Sequence, residues 1–339
     1  MSDLPDSSVS IIIVNYNGKH FLKDCLESIR TSEASGEEII IVDNASTDGS
    51  GEYVRSAFPR VKLMELDRNY GFAEANNRGA SVASGTFLIF LNNDTVVTPG
   101  WMKALLEAMF SEPLVGAAGS KLLLYNLPGK VNSAGAHIVF NGGGYDIGFM
   151  DDDSEKYNVP GPRGAVCAAS MMVRRDEFLS LGGFDPLYFM YFEDVDLCWR
   201  YWLSGYKVLY APQSVVHHRF GGTTGSSRHA PLRVFYGTRN SMFNILKNND
   251  LRNIFLPVFF NMLHHTVKFL GFVASLRFKS AVAMIRAYGS LVCHFPEVMR
   301  RRKVIQAARK VTDRYLVENS LIISLSSAVK EWLRLKGAR

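Results

Sequence analysis

Three runs in the first hundred residues are built almost wholly from Val, Ile, Leu and Phe and end in Asn or Asp: VSIIIVNY (9–16), EEIIIVD (37–43) and TFLIFLN (86–92). An apolar run without alternation predicts a strand buried on both faces, the situation of a parallel sheet covered by helices. VKLMEL (61–66) reads as a fourth strand, between the second and third of these. The intervening KHFLKDCLESIRTS and residues 72–83 carry helical spacing, and Asn17-Gly18 and Asn44 to Gly49 supply turn chemistry. Pro99 sits where a further helix is expected to begin. Strand and helix in repeated alternation predict a doubly wound α/β sheet, in which ligands bind beyond the carboxyl ends of the strands. The polar clusters fall at those ends: Asn15 and Asn17, Asp43-Asn44, and Asn92-Asn93-Asp94.

Farther along, residues 141–162 (NGGGYDIGFMDDDSEKYNVPGP) read as a long loop and AVCAASMMV (165–173) as a strand or buried segment. EDVDLCWRYWLSG (193–205) predicts a helix whose first turn carries acids, a favourable placement against the helix dipole. KVLYAP (207–212) predicts a short strand, after which helices dominate. Sixteen of the 38 Lys and Arg but only four of the 32 Asp and Glu fall in residues 251–339, so an acidic front part precedes a basic tail. The cysteines Cys25, Cys167, Cys198 and Cys293 are widely spaced, which excludes a zinc ribbon or disulfide scaffold and fits a reducing compartment. The N-terminal MSDLPDSS has neither a basic nor an apolar region, so no secretory signal is expected.

The stretches VSIIIVNYNG, IIIVDNASTDGS, RNYGFAEANNRG, IFLNNDT, FEDVDLCWR and VVHHRFGGTT occur in an order and spacing that resembles glycosyltransferase family 2, most of all its rhamnosyltransferase-like branch. The resemblance covers roughly residues 9–245. It implies a GT-A fold, a Rossmann-like mixed α/β nucleotide-binding sheet, with a helical C-terminal region. It also implies inverting transfer of a sugar from a nucleotide diphosphate, with dTDP-L-rhamnose the first candidate donor and other UDP- or GDP-sugars the alternative. Asp43 is the expected contact to the nucleobase, while Asp48 reads equally as a nucleotide contact or a helix cap. Asn15, Asn17, Asn44, Asn69, Asn76 and Asn93 complete the expected nucleotide-sugar site. Asn92 and Asp94 occupy the D-x-D positions, the first Asp being replaced by Asn. Asp94 and His218 are then the implied ligands of a divalent metal, Mn2+ or Mg2+. Adjacent side chains of an extended chain point to opposite faces, so only one of His217 and His218 should serve. Gly221 to Thr224 follow as a loop over the diphosphate or a plain turn. Asp194 is the implied general base, with Glu193 an acceptor contact or supporting group and Asp196 a cap or salt-bridge partner. Arg239 is open between neutralising the diphosphate and a helix salt bridge.

Residues 1–250 are therefore expected to form the catalytic part, and 251–339 a basic helical region that associates with membrane or oligomerises. Residues 253–275 are apolar, but Asn261, His264, His265 and Lys268 interrupt them, so amphipathic helices on a bilayer surface are expected in place of a span. A helical bundle or dimer interface is the alternative. The expected partners are the nucleotide-sugar donor and a lipid-linked or polysaccharide acceptor, with a homo-oligomer open and no nucleic acid. The expected place is the cytoplasmic face of the membrane.

Overall fold

A computed structural model of the chain describes residues 7–32, 37–220, 229–324, 327 and 330. The front runs form β1 (Val9–Asn15), β2 (Glu38–Asp43), β3 (Lys62–Glu65) and β4 (Phe87–Asn92), linked by α1 (Lys19–Thr31), α2 (Ser50–Ala57) and α3 (Gly71–Val82). β1 pairs in parallel with β2 and β4, and β2 with β3. The period of two sends Ile11 and Ile13 to one face of the sheet and Ile12 to the other. The first face packs against Leu22, Cys25, Leu26 and Ile29 of α1, the second against Ala73, Ala75 and Ala80 of α3.

After β4 come β5 (Thr95–Val97), α4 (Trp101–Phe110), β6 (Val115–Leu124), β7 (Val131–Ser133), β8 (Ala136–Val139), β9 (Gly144–Asp146), β10 (Gly161–Pro162), β11 (Ser170–Arg174), α5 (Arg175–Ser180), α6 (Glu193–Leu203) and β12 (Lys207–His218). The main sheet runs β10-β12-β6-β11-β4-β1-β2-β3, with β5 on β12 and β7 on β6. It is mixed, because β11 lies antiparallel between β4 and β6. Two expectations are corrected here. Residues 141–162 are not one loop: β9 returns on β8 as a hairpin, and a 3-10 turn (Glu155–Tyr157) and β10 follow. The strand expected over 207–212 continues to His218, since β6 and β5 flank its second half and keep the backbone paired past Pro212.

The C-terminal part holds α7 (Pro231–Asn248), α8 (Phe255–Ala274), α9 (Phe278–Ala307), α10 (Asp313–Glu318) and β13 (Ile322–Ile323). β13 pairs with β8, Ile322 opposite Ile138, which returns the chain to the part that carries the sheet. Among the described residues no helix is long and apolar enough to cross a membrane. In α8 the usual pattern is inverted: Asn261 and His265 are buried, while Phe255, Val267 and Leu270 are 74%, 63% and 60% exposed.

Candidate active site

Strand register gathers the first cluster. Asn15 lies beside Asp43 and Val14 beside Asn92, so the polar ends of β1, β2 and β4 meet at one edge of the sheet. The Asn15 amide donates to Asp43 Oδ1 (3.0 Å) and to Ser46 Oγ (3.1 Å), and its own oxygen accepts from Asn93 Nδ2 (2.7 Å). Asp43 Oδ2 accepts from the Ser46 amide (3.1 Å), and Asn17 Oδ1 from the Thr47 amide (2.8 Å). Asp48 receives the Lys19 amide at the start of α1 (2.9 Å) and the Ser50 amide at the start of α2 (3.1 Å), the geometry of a cap shared by two helices. Burial alone would raise its pKa, but the Ser50 hydroxyl and these amides hold the carboxyl below its ordinary range.

Asn44 and Asn69 are tied to the loop that enters α3. Asn44 Nδ2 donates to Asn69 Oδ1 (3.0 Å) and Gly71 O (3.1 Å), and Asn44 Oδ1 accepts from the Tyr70 amide (2.8 Å). Gly71 has φ +80°, and a Cβ there would fall 2.5 Å from Phe189 O, so the loop needs glycine at that point. Asn76 donates to Phe72 O within its own helix (2.9 Å).

The second cluster follows from the pairing of β5 with β12, which sets His218 opposite Thr95 and brings it beside Asp94. His218 Nδ1 lies 2.7 Å from Asn132 Oδ1, an acceptor, so a neutral ring there carries its proton on Nδ1 and its lone pair on Nε2. That nitrogen is 3.3 Å from Asp94 Oδ1 and 3.4 Å from Asn92 Nδ2. Asp94 Oδ1 is buried and accepts no hydrogen bond. Two acceptors that face each other, one of them an orphaned carboxylate oxygen, form a pair that a cation would relieve. An imidazole oriented through its other nitrogen is the usual outer-shell support of a metal ligand. The residues present therefore fit a divalent metal. Among the described residues no group of three or more His, Cys, Asp or Glu side chains converges, so remaining ligands would come from substrate, water or the Asn92 carbonyl. His217 lies on the other face of β12, half-buried, with its pKa lowered by that burial.

The third cluster stands next to the second. The Asn92 amide donates to Ala169 O (3.1 Å), and one residue earlier the Ala168 amide donates to Asp194 Oδ2 (3.3 Å). Asp194 Oδ1 accepts from the Val195 amide (2.8 Å). Burial raises the pKa of Asp194, and the two amides pull it back towards the ionised form. Glu193 is less well supported: its Oε2 is buried without a hydrogen bond, and burial and the charge of Asp194 hold its pKa well above the usual carboxylate range. Both carboxyls are raised, and the two amides make Asp194 the one that gives up its proton more readily.

Sequence reasoning missed Asp146, on β9. Burial and then the charge of Asp194 push its carboxyl up to about 6, against a hydrogen bond from Ser133, and His218 and Arg233 are also in its field. Asp146 thus lies within electrostatic reach of both Asp194 and His218. The Asn141-Gly142 dipeptide, a common hairpin turn, is the signal that would have placed a strand there. Asn132 and Ser46 were missed too, and nothing in their local sequence marks them. Asp196 forms a wholly buried salt-bridge set, with Arg200 Nε at 2.9 Å and Lys247 Nζ at 2.8 Å. Arg78 pairs with Glu74 (2.9 Å) over the ring of Tyr70. Arg239 stands apart from the sheet edge, with its guanidinium on the carbonyls of Leu187 and Tyr188. Gly221 to Thr224 lie outside the described residues.

The fold matches that of solved sugar transferases. The structure of GalNAc-T7 with UDP, GalNAc and Mn2+ superposes with a TM-score of 0.57 at 19% identity, over 72% of this chain and 48% of that one. The structure of residues 1–349 of S. aureus TarS with UDP superposes with a TM-score of 0.55 at 16% identity, over 89% and 86% of the two chains. These likenesses define the class of fold: GT-A, followed in this chain by a helical C-terminal region. Residues 10–177 match the model of glycosyl transferase family 2, and the chain belongs to that family. A relative is the N-acetylglucosaminyl-diphospho-decaprenol L-rhamnosyltransferase of Mycobacterium tuberculosis, 26% identical over 68% of this chain and 84% of its own length.

Proposed function

We propose that the enzyme transfers a sugar with inversion from a nucleotide diphosphate to a hydroxyl of a lipid-linked or polysaccharide acceptor in bacterial cell-surface glycan synthesis. L-Rhamnose from dTDP-rhamnose is the first candidate, supported by the 26% identical rhamnosyltransferase. The observation that carries the mechanism is the unequal carboxyl pair at the start of α6. Asp194, whose rise in pKa on burial is limited by the Ala168 and Val195 amides, takes in its ionised form the proton of the acceptor hydroxyl as the hydroxyl oxygen bonds to the anomeric carbon. The bond from that carbon to the diphosphate oxygen breaks on the opposite face, and the nucleoside diphosphate leaves with the electron pair. Asn15, Asp43 and their neighbours form the nucleotide end, where Asp43 orients the base. Asp94 and His218 would hold the divalent metal, which neutralises charge on the departing diphosphate when bound. The exposed apolar face of α8 rests on the cytoplasmic surface of the membrane, with Arg277, Lys279 and Arg286 nearby in sequence to meet anionic lipid.

The reading is tested by thermal shift against dTDP-, UDP- and GDP-sugars with Mn2+, followed by turnover of Asp194→Asn. The variant should keep donor binding and lose roughly 10²–10⁴-fold in turnover. Near-normal turnover would remove Asp194 as the base. A shift with UDP- or GDP-sugars alone would replace the donor and leave the chemistry standing.

A further inference from the structure

The residues just before the carboxyl pair have a backbone that their side chains do not favour. Phe189, Tyr191 and Phe192 have φ of 60°, 67° and 67°, a left-handed conformation at three bulky residues within four positions. Such strain persists only where the surroundings over-determine it. Phe192 is also the cap of α6, so this segment sets where Glu193 and Asp194 point.

Two adjacent residues of α7 hold it. The Asn240 amide donates to the carbonyls of Tyr188 (3.1 Å), Met190 (2.9 Å) and Tyr191 (2.8 Å). Arg239 donates to the carbonyls of Leu187 and Tyr188 and, through Nε, to Asn240 Oδ1 (3.0 Å), which fixes which way the Asn240 amide faces. One turn earlier on α7, the ring of Tyr236 stacks on Phe189 at 5.3 Å and 7°. On the other side the Phe72 amide at the start of α3 donates to Phe189 O (2.6 Å). Asn240 is fully buried and Arg239 nearly so. Their polar atoms are spent on the segment, which draws Arg239 away from the diphosphate role expected of it.

We propose that Asn240, locked by Arg239, is a positioning residue for catalysis: it holds Leu187–Phe192 in its left-handed path and thereby holds Asp194 in the orientation for attack. This rests on the assignment of Asp194 as base. The carbonyls gripped belong to a segment that would otherwise relax towards ordinary backbone angles and turn the first residues of α6.

The test compares Asn240→Ala, Arg239→Lys and Asp194→Asn in the full chain. Two readouts are taken: hydrogen exchange across the protein, and nucleoside diphosphate release from dTDP-L-rhamnose, UDP-N-acetylglucosamine and GDP-mannose with Mn2+. Asn240→Ala should lose exchange protection at residues 187–193 and not in the sheet. Its kcat should fall by roughly 100-fold, the cost of misplacing a reacting group by about 1 Å, with donor KM within about threefold of the parent. Arg239→Lys keeps the charge but not the fork that orients Asn240, so it should show the same pattern about tenfold less severely. It decides the matter should Asn240→Ala fail to fold. Unchanged exchange at 187–193, or a kcat within about threefold of the parent, would overturn the proposal. Loss of donor affinity in step with kcat would overturn it too. If Asp194→Asn is inactive while Asn240→Ala turns over normally, only the positioning role falls. If Asp194→Asn itself turns over normally, the base assignment falls.

Discussion

Glu193 and Asp194 are neighbours of the same charge type, and what sets them apart is hydrogen bonding together with the deeper burial of Glu193. Asp194 has two backbone amides, and Glu193 Oε2 has no partner. A carboxyl whose pKa is raised by folding binds its proton more tightly folded than unfolded. Below the ordinary Glu value of about 4.5 both states of Glu193 are protonated and the site costs nothing. As pH rises towards its raised folded value, the unfolded chain releases that proton first and stability falls. Glu193→Gln removes the titration. Urea unfolding followed from pH 4 to 8 should show the variant gaining on the parent as pH rises; parallel curves would mean that Glu193 is not buried as an acid. At this scale the sequence marked residues that do gather at one edge of the sheet, because Asn and Asp at strand ends stand out against apolar runs. Which polar atoms are spent internally was not legible. Asp48 and Arg239 were each open between two roles, and the structure puts the first on two helix starts and the second on loop carbonyls.

Among the elements, α8 departs furthest from the pattern of a water-soluble helix. Its apolar residues face out, and its polar Asn261 and His265 face in, where Asn261 donates to Asn141 O (2.7 Å) and His265 lies 3.0 Å from the Tyr288 hydroxyl. The tail was read as apolar residues interrupted by polar ones. Two of the four interruptions, Asn261 and His265, turn out to lie on the inner face, where they meet groups remote in sequence, while His264 is exposed. An outer face of this kind calls for an apolar medium, and the bilayer reading makes a direct prediction. Phe255→Ser with Phe259→Ser and Leu270→Ser should leave the fold intact and weaken co-sedimentation with anionic vesicles by at least about tenfold, since each exposed side chain buried in lipid contributes roughly 1.5–3 kcal/mol. Unchanged sedimentation together with a loss of self-association would assign the face to a second copy. Other elements escaped sequence reading for local reasons. The ten-residue β6, VGAAGSKLLL, opens with small residues that carry no strand signal and is recognisable only from its neighbours β11 and β12. β9 hides in a glycine-rich run and is held by β8 across a tight turn.

At the scale of the whole molecule, one buried set of charges joins the base helix to the C-terminal helices. Lys247 of α7, fully buried, bridges Asp185 (2.6 Å) and Asp196 of α6 (2.8 Å), and Arg301 of α9 reaches Asp185 at 2.9 Å. Lys247→Met leaves two buried carboxylates short of a cation and should cost about 3–5 kcal/mol in urea unfolding. A cost below about 1 kcal/mol would show that Arg200 and Arg301 compensate it. The same network, with β13 on β8, means that α7, α9 and the C-terminal strand are packed into the part that carries the active site. The sequence by itself determined the class of fold and the edge of the sheet where the site lies. Both rest on periodicity and on residues close in the chain: a short apolar run rich in β-branched residues and bounded by turn residues reads as a covered strand, and parallel strands present their carboxyl ends together. Only the tertiary structure decided which groups distant in the chain face each other: His218 beside Asp94, the Ala168 amide on Asp194, Asn240 under the strained turn. Those choices depend on strand register and helix packing, which short-range pattern does not encode, and on burial, which raises both neighbouring carboxyls and leaves the nearby amides to tell them apart.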